Sequence, residues 1–139
     1  MRVVIDTNVL VSGTINPHGS PGRLVDAILA GAVTVLYDDR VIAEYRDVLL
    51  RPAFGFQRID VETLVAFIEL SGEPVVVEPL AVVLPDASDL PFLEVAASGH
   101  AAALITGNVK HFTPRRGTHS VKICGPAQFV HRLRPRANL

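Results

Sequence analysis

Short β-branched runs alternate with amphipathic stretches along the chain, and this alternation constrains the fold more than any other feature. Val3-Val4-Ile5 is the first such run, and it stops at Asp6-Thr7-Asn8, as expected of a buried strand that enters a loop. Further strands are predicted at 33–37, 74–77, 103–105 and 121–123, and helices at 24–29, 38–52, 60–70, 88–98 and 126–133, with a surface loop at 16–22. Strands separated by helices imply parallel crossovers, so we expect a three-layer α/β/α fold around a mainly parallel sheet of four to five strands.

Length and cysteine content narrow the class of protein. With 139 residues, the chain is expected to form one domain over 1–139. Its single cysteine, Cys124, excludes an intramolecular disulfide and a multi-cysteine metal site, and the reducing cytoplasm is the expected compartment. No window approaches the roughly 18 apolar residues that span a bilayer, so no membrane association is expected.

Charge is divided unevenly along the chain, although the formal net charge is only -1. All 14 acidic residues lie in 1–109, whereas 110–139 contains basic residues and no acid. The basic residues there are Lys110, Arg115, Arg116, Lys122, Arg132, Arg134 and Arg136. They suit a phosphate-binding rim, with Lys110, Arg115 and Arg116 as the candidate phosphate contacts; the alternative is a solvated C-terminal face.

Two acids occupy positions that suit a site at the sheet edge. In an open α/β sheet, ligands bind outside the carboxyl ends of the strands, and Asp6 follows the first strand. The alternative role for Asp6 is a helix N-cap. Through i, i+3 and i+4 spacing, Glu44 borders the apolar helix face formed by Val41, Tyr45 and Val48, where a lone carboxylate is costly unless it is paired or binds a cation. The alternative for Glu44 is a side chain that turns to solvent or pairs with Arg40 or Arg51.

Three more polar residues are predicted at the same edge. Asp86 and Asp89 precede an apolar helix, although a turn and an N-cap would also explain them. Asn108 follows the strand at 103–105 and offers a neutral oxygen. Several carboxylates in one crevice require raised pKa values or a divalent cation, and oxygen ligands favour Mg²⁺ or Mn²⁺ over zinc. Such a cation supports phosphodiester hydrolysis.

The acidic segments together resemble a known family. The segment 4–12, VIDTNVLVS, resembles the opening motif of PIN-domain nucleases, and Glu44 within AEYRDVL resembles their second acid. The segments 86–93 and 104–108 are similar to the third and fourth blocks of that family. The similarity is closest to the branch of toxin components of bacterial and archaeal toxin–antitoxin pairs (VapC-like).

The resemblance implies an endoribonuclease that cleaves single-stranded RNA with Mg²⁺ or Mn²⁺. In that family's pattern, Asp6, Glu44 and Asp89 match the acidic metal ligands, and Asp86 matches an additional acid of this branch. It further implies an antitoxin protein as partner and a homodimer or higher homo-oligomer.

Two departures from the family pattern affect the site. Asn108 stands where many members have Asp, and Leu90 stands where many have an acid. The third ligand is therefore either Asp86 or Asp89, and catalysis through one tightly held metal is expected.

Two other functions are weighed against the nuclease. Asn108 and Leu90 also suit a catalytically weak or inactive PIN-like module that binds RNA or a protein. A phosphatase or phospho-receiver is less consistent with the sequence, because a phosphatase with an aspartyl nucleophile would need a second carboxylate at the position of Asn8.

Overall fold

A computed structural model describes residues 1–133 and contains a five-stranded sheet. Its strands are β1 (Arg2–Ile5), β2 (Thr34–Tyr37), β3 (Glu73–Pro74), β4 (Ala103–Ile105) and β5 (Ile123–Cys124). They lie in the order β3-β2-β1-β4-β5, and every pairing between them is parallel. The predicted α/β fold with a mainly parallel sheet is therefore confirmed, and the sheet reaches the upper end of the expected strand number.

Six α-helices of the described chain flank the sheet. They are α1 (Thr7–Ile15), α2 (Ser20–Leu29), α3 (Asp39–Leu49), α4 (Arg58–Ser71), α5 (Leu90–Ser98) and α6 (Pro126–Leu133). Helix α5 crosses back over the sheet and contacts β1, β2 and β4, while α2 packs against both α1 and α6. Within the described residues, no helix has the length and apolar character needed to cross a membrane.

The two outer strands differ from their predicted bounds because of their neighbours. The strand predicted at 74–77 pairs only at Glu73–Pro74, since β2 ends at Tyr37 and offers no further partner. The strand predicted at 121–123 is shifted to Ile123–Cys124, where it pairs with β4. A strand at the sheet margin thus takes its length from the strand beside it.

Two predicted element boundaries are also wrong. The loop predicted at 16–22 ends earlier, because α2 begins at Ser20 and accepts Pro21 in its first turn. The helix predicted at 88–98 is divided into a 3-10 turn at Ala87–Asp89 and the helix α5. The second change places Asp89 at the junction of the two.

The core places α3 and α5 at the carboxyl end of β1. The fully buried Tyr45 of α3 donates its hydroxyl hydrogen bond to the carbonyl of Ile5, and its ring lies 6.2 Å from that of Phe92. Arg40 of α3 forms an ion pair of 2.9 Å with the buried Glu94 of α5. These contacts fix both helices relative to the strand that ends before Asp6.

The basic segment after β4 is tied to the segment before α5. Val83 donates a backbone hydrogen bond of 2.9 Å to Arg116 and accepts one of 2.7 Å from Arg115. The next residue, Gly117, has a φ of +77°, and a Cβ there would lie 2.2 Å from the carbonyl oxygen of Ala81. Only glycine combines this backbone conformation with so close an approach.

Gly117→Ala is therefore expected to destabilise the protein by about 1–3 kcal/mol more than Gly55→Ala does. Gly55 also has a positive φ, +68°, but open space surrounds its Cβ position, so that variant loses only the backbone preference. The comparison is made by chemical denaturation of both variants. Equal destabilisation would contradict the predicted clash.

Candidate functional site

The carboxyl ends of β1 and β4 bring Asp6 and Thr106 together. Ile5 pairs with Ile105 in the parallel register, so the next residue of each strand emerges at the same sheet edge. The Thr106 hydroxyl donates a hydrogen bond of 2.7 Å to Oδ2 of Asp6 and accepts one of 3.0 Å from the backbone N–H of Asn108. Thr106 thus links the first acid to the segment that carries Asn108.

Asp6 is a buried carboxylate that does not cap its helix. It precedes α1, but its side chain makes no capping hydrogen bond, so the N-cap alternative is not confirmed. Burial raises its pKa, while the Thr106 hydroxyl and the backbone N–H groups of Thr7 and Asn8 act in the opposite direction. Asp6 is therefore held by Thr106 at the carboxyl end of β1.

Glu44 is half-buried on α3, beside the Tyr45 that contacts the end of β1. The alternative pairing with Arg40 or Arg51 is wrong, because Arg40 pairs with Asp38 and Glu94, and Arg51 pairs with Asp47. Within residues 1–133, Glu44 forms no ion pair. Its carboxylate therefore has no cation from the described part of the protein.

Asp86 and Asp89 differ although both were considered as the third acid. Asp86 is exposed, and its Oδ1 accepts hydrogen bonds from the backbone N–H of Ser88 at 2.9 Å and from the Ser88 hydroxyl at 2.7 Å. These hydrogen bonds lower the pKa of Asp86. Asp86 therefore acts as an ordinary turn cap, as one alternative predicted.

Asp89 is the acid with the most unusual surroundings. It stands at the start of α5 without capping it, and its Oδ2 is a buried atom with no hydrogen-bond partner in the described chain. Burial raises the pKa of Asp89 to about 6, and the negative charges of Asp6, Asp86 and Glu44 contribute to the rise. The four acids are thus close enough to interact electrostatically.

The imidazole of His111 faces Asp89, and in the sequence His111 belongs to the basic segment that suits a phosphate-binding rim. Its Nδ1 lies 3.6 Å from Oδ2 of Asp89, which is too long for a hydrogen bond. The 3-10 turn Val109–Phe112 that carries His111 is anchored by the buried Phe112, whose carbonyl lies 3.0 Å from Nε2 of His119. The signal in the sequence was its position, three residues after Asn108 and next to Lys110.

The acids fit a hard cation through their chemistry, although they are not drawn tightly together. Across residues 1–133, no three His, Cys, Asp or Glu side chains form a compact ligand group. The buried, unpartnered oxygen of Asp89 nevertheless lies among negative charges, which a cation would relieve. Asp6, Glu44 and Asp89 supply only oxygen donors, the type that Mg²⁺ and Mn²⁺ prefer.

The candidate phosphate contacts lie in two groups beside these acids. Lys110 belongs to the turn after Asn108, and Arg115 and Arg116 are bridged to Val83 in the segment that leads to Asp86. Lys122 and Arg132 lie near Cys124 instead and lower the pKa of its thiol, which burial raises. The remaining basic candidates, Arg134 and Arg136, lie outside the described residues.

Thr106 is a residue whose role the sequence did not predict, and it provides a test of the site. Thr106→Val is expected to destabilise the protein by about 1–2 kcal/mol, because the backbone N–H of Asn108 loses its acceptor. The pKa of Asp6 should also rise further, because a donor that lowers it is removed. Thr106→Ser keeps the hydroxyl and should retain the stability and the Asp6 pKa of the wild type. Denaturation measures the first and NMR titration of the Asp6 carboxyl the second. An unchanged Asp6 pKa in Thr106→Val would contradict a role of Thr106 in holding Asp6.

Comparisons with known proteins agree with this geometry. Residues 2–110 match the PIN domain family. A protein of Methanocaldococcus jannaschii, described as uncharacterized protein MJ1680, is 32% identical over 114 residues, which cover 78% of this chain and 71% of that protein. No solved structure gives a significant match to the chain. The chain therefore belongs to the PIN domain family, and this membership indicates a nuclease.

Proposed function

We propose that the protein is a Mg²⁺- or Mn²⁺-dependent endoribonuclease that hydrolyses phosphodiester bonds in single-stranded RNA. The proposal rests mainly on Asp89, whose Oδ2 is buried and has no hydrogen-bond partner in the described chain. The negative charges of Asp6 and Glu44 also act on this carboxyl. A buried carboxylate among like charges is unfavourable unless it is protonated or meets a cation. The site is therefore suited to a divalent cation.

The ligand set that we propose is Asp6, Glu44 and Asp89. Asp6 is held by Thr106 through one oxygen, and Glu44 is placed by the helix that Tyr45 fixes to β1. Asp89 is preferred over Asp86 because the Oδ1 of Asp86 is already used by Ser88. A Mg²⁺ or Mn²⁺ ion held by these oxygens would supply the positive charge that phosphodiester hydrolysis requires.

The other candidate residues would act on the substrate. Asn108 is exposed at the sheet edge, and its side-chain amide offers a donor and an acceptor to the bound nucleotide. Lys110, Arg115 and Arg116 are exposed on either side of the acidic residues and would hold neighbouring phosphates. These positive charges would allow RNA, a polyanion, to approach the acidic residues of the site.

The test is a digest of a fluorescent single-stranded RNA with Mn²⁺, with Mg²⁺, and with excess EDTA. We expect cleavage with either cation and none with EDTA, together with little cleavage of a double-stranded RNA or a single-stranded DNA of the same sequence. Cleavage that persists in excess EDTA would overturn the metal-dependent mechanism.

A non-catalytic binding module is the second candidate function. The lack of a compact ligand group in residues 1–133, with Asn108 in place of a further acid, favours it. Such a module would bind RNA with a strong salt dependence but would show no turnover with any cation. The digest above separates the two candidates when RNA binding is measured in parallel.

We also propose that the nuclease acts in the cytoplasm as the toxin of a toxin–antitoxin pair and associates with itself. Helix α4 offers a surface for self-association, because Ile59 and Leu70 are 73% and 87% exposed, respectively.

An antitoxin segment would occupy the crevice that contains Asp6, Glu44 and Asp89. Sedimentation would measure self-association, and growth of cells that express the wild type or Asp6→Asn would measure toxicity; a monomer, or equal growth, would contradict the respective role.

A further inference from the structure

A small neutral pocket lies next to the acidic residues. It has a volume of about 300 Å³ and lies between the starts of α1, α2 and α6 and the turn after β4. Its lining residues are Asn8, Val9, Ser12, Pro21, Gly107, Asn108 and Pro126. Asn8 follows Asp6 closely in sequence, and the backbone of Asn108 is hydrogen-bonded to the Thr106 that holds Asp6. The pocket therefore adjoins the proposed reaction centre.

The walls of the pocket are fixed by close backbone contacts. A Cβ at Gly13 of α1 would lie 2.7 Å from the carbonyl oxygen of Pro21, so α1 and the start of α2 approach as closely as two backbones can. On the opposite side, Oδ1 of Asn8 accepts a hydrogen bond of 3.3 Å from the backbone N–H of Gly107. The pocket is thus formed before any ligand arrives, which limits the ordering that binding would require.

The lining carries hydrogen-bonding groups but no charge. Within residues 1–133, no hydrogen bond is formed by the side-chain nitrogen of Asn8, the hydroxyl of Ser12 or the side-chain amide of Asn108, whereas the side-chain oxygen of Asn8 and the backbone N–H of Asn108 are already bonded. Pro126 begins α6 and contributes no backbone N–H, so this helix start lacks one of the donors that would hold an anion. Neutral amides with free donors and acceptors match the edge of a nucleobase, whereas a phosphate would need positive charge.

The residues next to the pocket have the opposite character. Gly107 and Asn108 also border a second pocket, which continues along Val109, Lys110 and His111 and carries basic side chains. The turn after β4 therefore separates the neutral pocket from the pocket with basic side chains. A nucleotide placed across this turn would have its base on one side and its phosphate on the other.

We propose that the pocket lined by Asn8, Ser12 and Asn108 is a nucleobase subsite that holds one base of the RNA beside the cleaved bond. The proposal rests on the ribonuclease function above and adds a source of base preference to it. The sugar-phosphate backbone would follow the basic residues, while the pocket would select among bases through its amide and hydroxyl groups.

The experiment measures binding without cleavage. The four nucleoside 5′-monophosphates and ribose 5-phosphate are titrated into the full-length protein in excess EDTA, with binding followed by NMR. At least one nucleotide is expected to bind about tenfold more tightly than ribose 5-phosphate, a difference of about 1.4 kcal/mol, and to shift the side-chain amide signals of Asn8 and Asn108. Ribose 5-phosphate that binds as tightly as all four nucleotides would overturn the subsite.

Ser12→Phe provides the matched blocking variant. Ser12 is exposed on α1, and a phenyl ring there would fill the pocket, so the preference for the nucleotide should be lost. Ser71→Phe places the same ring at an exposed serine at the end of α4, and that variant should bind like the wild type. A nucleotide preference that survives in a folded Ser12→Phe protein would overturn the proposal. If Ser12→Phe does not fold, the Asn8 and Asn108 signals of the wild type decide the question.

The outcome is separable from that of the ribonuclease proposal. Binding in EDTA does not depend on the cation, so a protein that cleaves RNA but shows no base-dependent binding would retain the proposed function and lose the subsite. A protein that binds a nucleotide at Asn8 and Asn108 but never cleaves RNA would retain the subsite and lose the catalytic function.

Discussion

Asp6→Asn is expected to lower the rate of Mn²⁺-dependent RNA cleavage by at least about 100-fold, since a direct ligand should matter more than the outer-shell residues whose loss costs about 10–100-fold. The amide removes the negative charge while keeping an oxygen that accepts the hydrogen bond from Thr106. Burial raises the pKa of the native carboxyl, so removal of its charge should leave the stability at pH 7 unchanged or increased. Cleavage rates and thermal unfolding of the same preparation provide the two measurements.

The matched control for Asp6→Asn is Asp26→Asn. Asp26 is exposed on α2, and its replacement removes an equal charge from the same acidic part of the chain. Its cleavage rate should therefore stay within about twofold of the wild type, because exposed charges away from the centre contribute little. Similar losses in both variants would mean that overall charge, and not a ligand at position 6, determines the activity.

Features within one sequence segment were predictable from composition and spacing. β4 matches its predicted run and β1 extends its run only by Arg2, because the β-branched and aliphatic residues at 3–5 and 103–105 are fully buried between helices. The helix predicted from position 38 begins at Asp39, and Asp38 caps it by accepting a side-chain hydrogen bond of 3.0 Å from the backbone N–H of Val41. The location of the acids at one sheet edge follows from the same local elements and the parallel topology.

Contacts between distant segments were not predictable in the same way. A helix periodicity placed Glu44 near Arg40, but Arg40 pairs with Asp38 and with Glu94, and Glu94 lies on a helix that reaches it only through the fold. The hydrogen bond between Thr106 and Asp6 likewise depends on the register of β1 and β4. Sequence spacing alone also left Asp86 and Asp89 equivalent, whereas burial and the Ser88 hydrogen bonds distinguish them.

Asp89→Asn is expected to stabilise the cation-free protein above about pH 6 by about 2–3 kcal/mol, according to the size of the pKa shift. The pKa of Asp89 is about 6 in the folded protein against a reference value of 3.8, so the folded state holds its proton more tightly than the unfolded state does. The contribution of Asp89 to stability is therefore full below about pH 4 and is lost as the pH rises towards 6. Denaturation of both proteins in EDTA from pH 4 to pH 8 measures the difference between them.

Mn²⁺ should reverse this loss in the wild type, because a cation that binds the ionised carboxylates of the folded state stabilises that state by mass action. At pH 7.5, added Mn²⁺ should raise the unfolding temperature of the wild type and have a much smaller effect on Asp89→Asn. Asp86→Asn serves as the control, since Asp86 is exposed and already hydrogen-bonded to Ser88, so its Mn²⁺ response should resemble that of the wild type. If the Mn²⁺-induced rise in unfolding temperature were lost in Asp86→Asn but kept in Asp89→Asn, the third ligand would be Asp86. If the stability difference between the wild type and Asp89→Asn in EDTA did not change with pH, the raised pKa of Asp89 would be refuted.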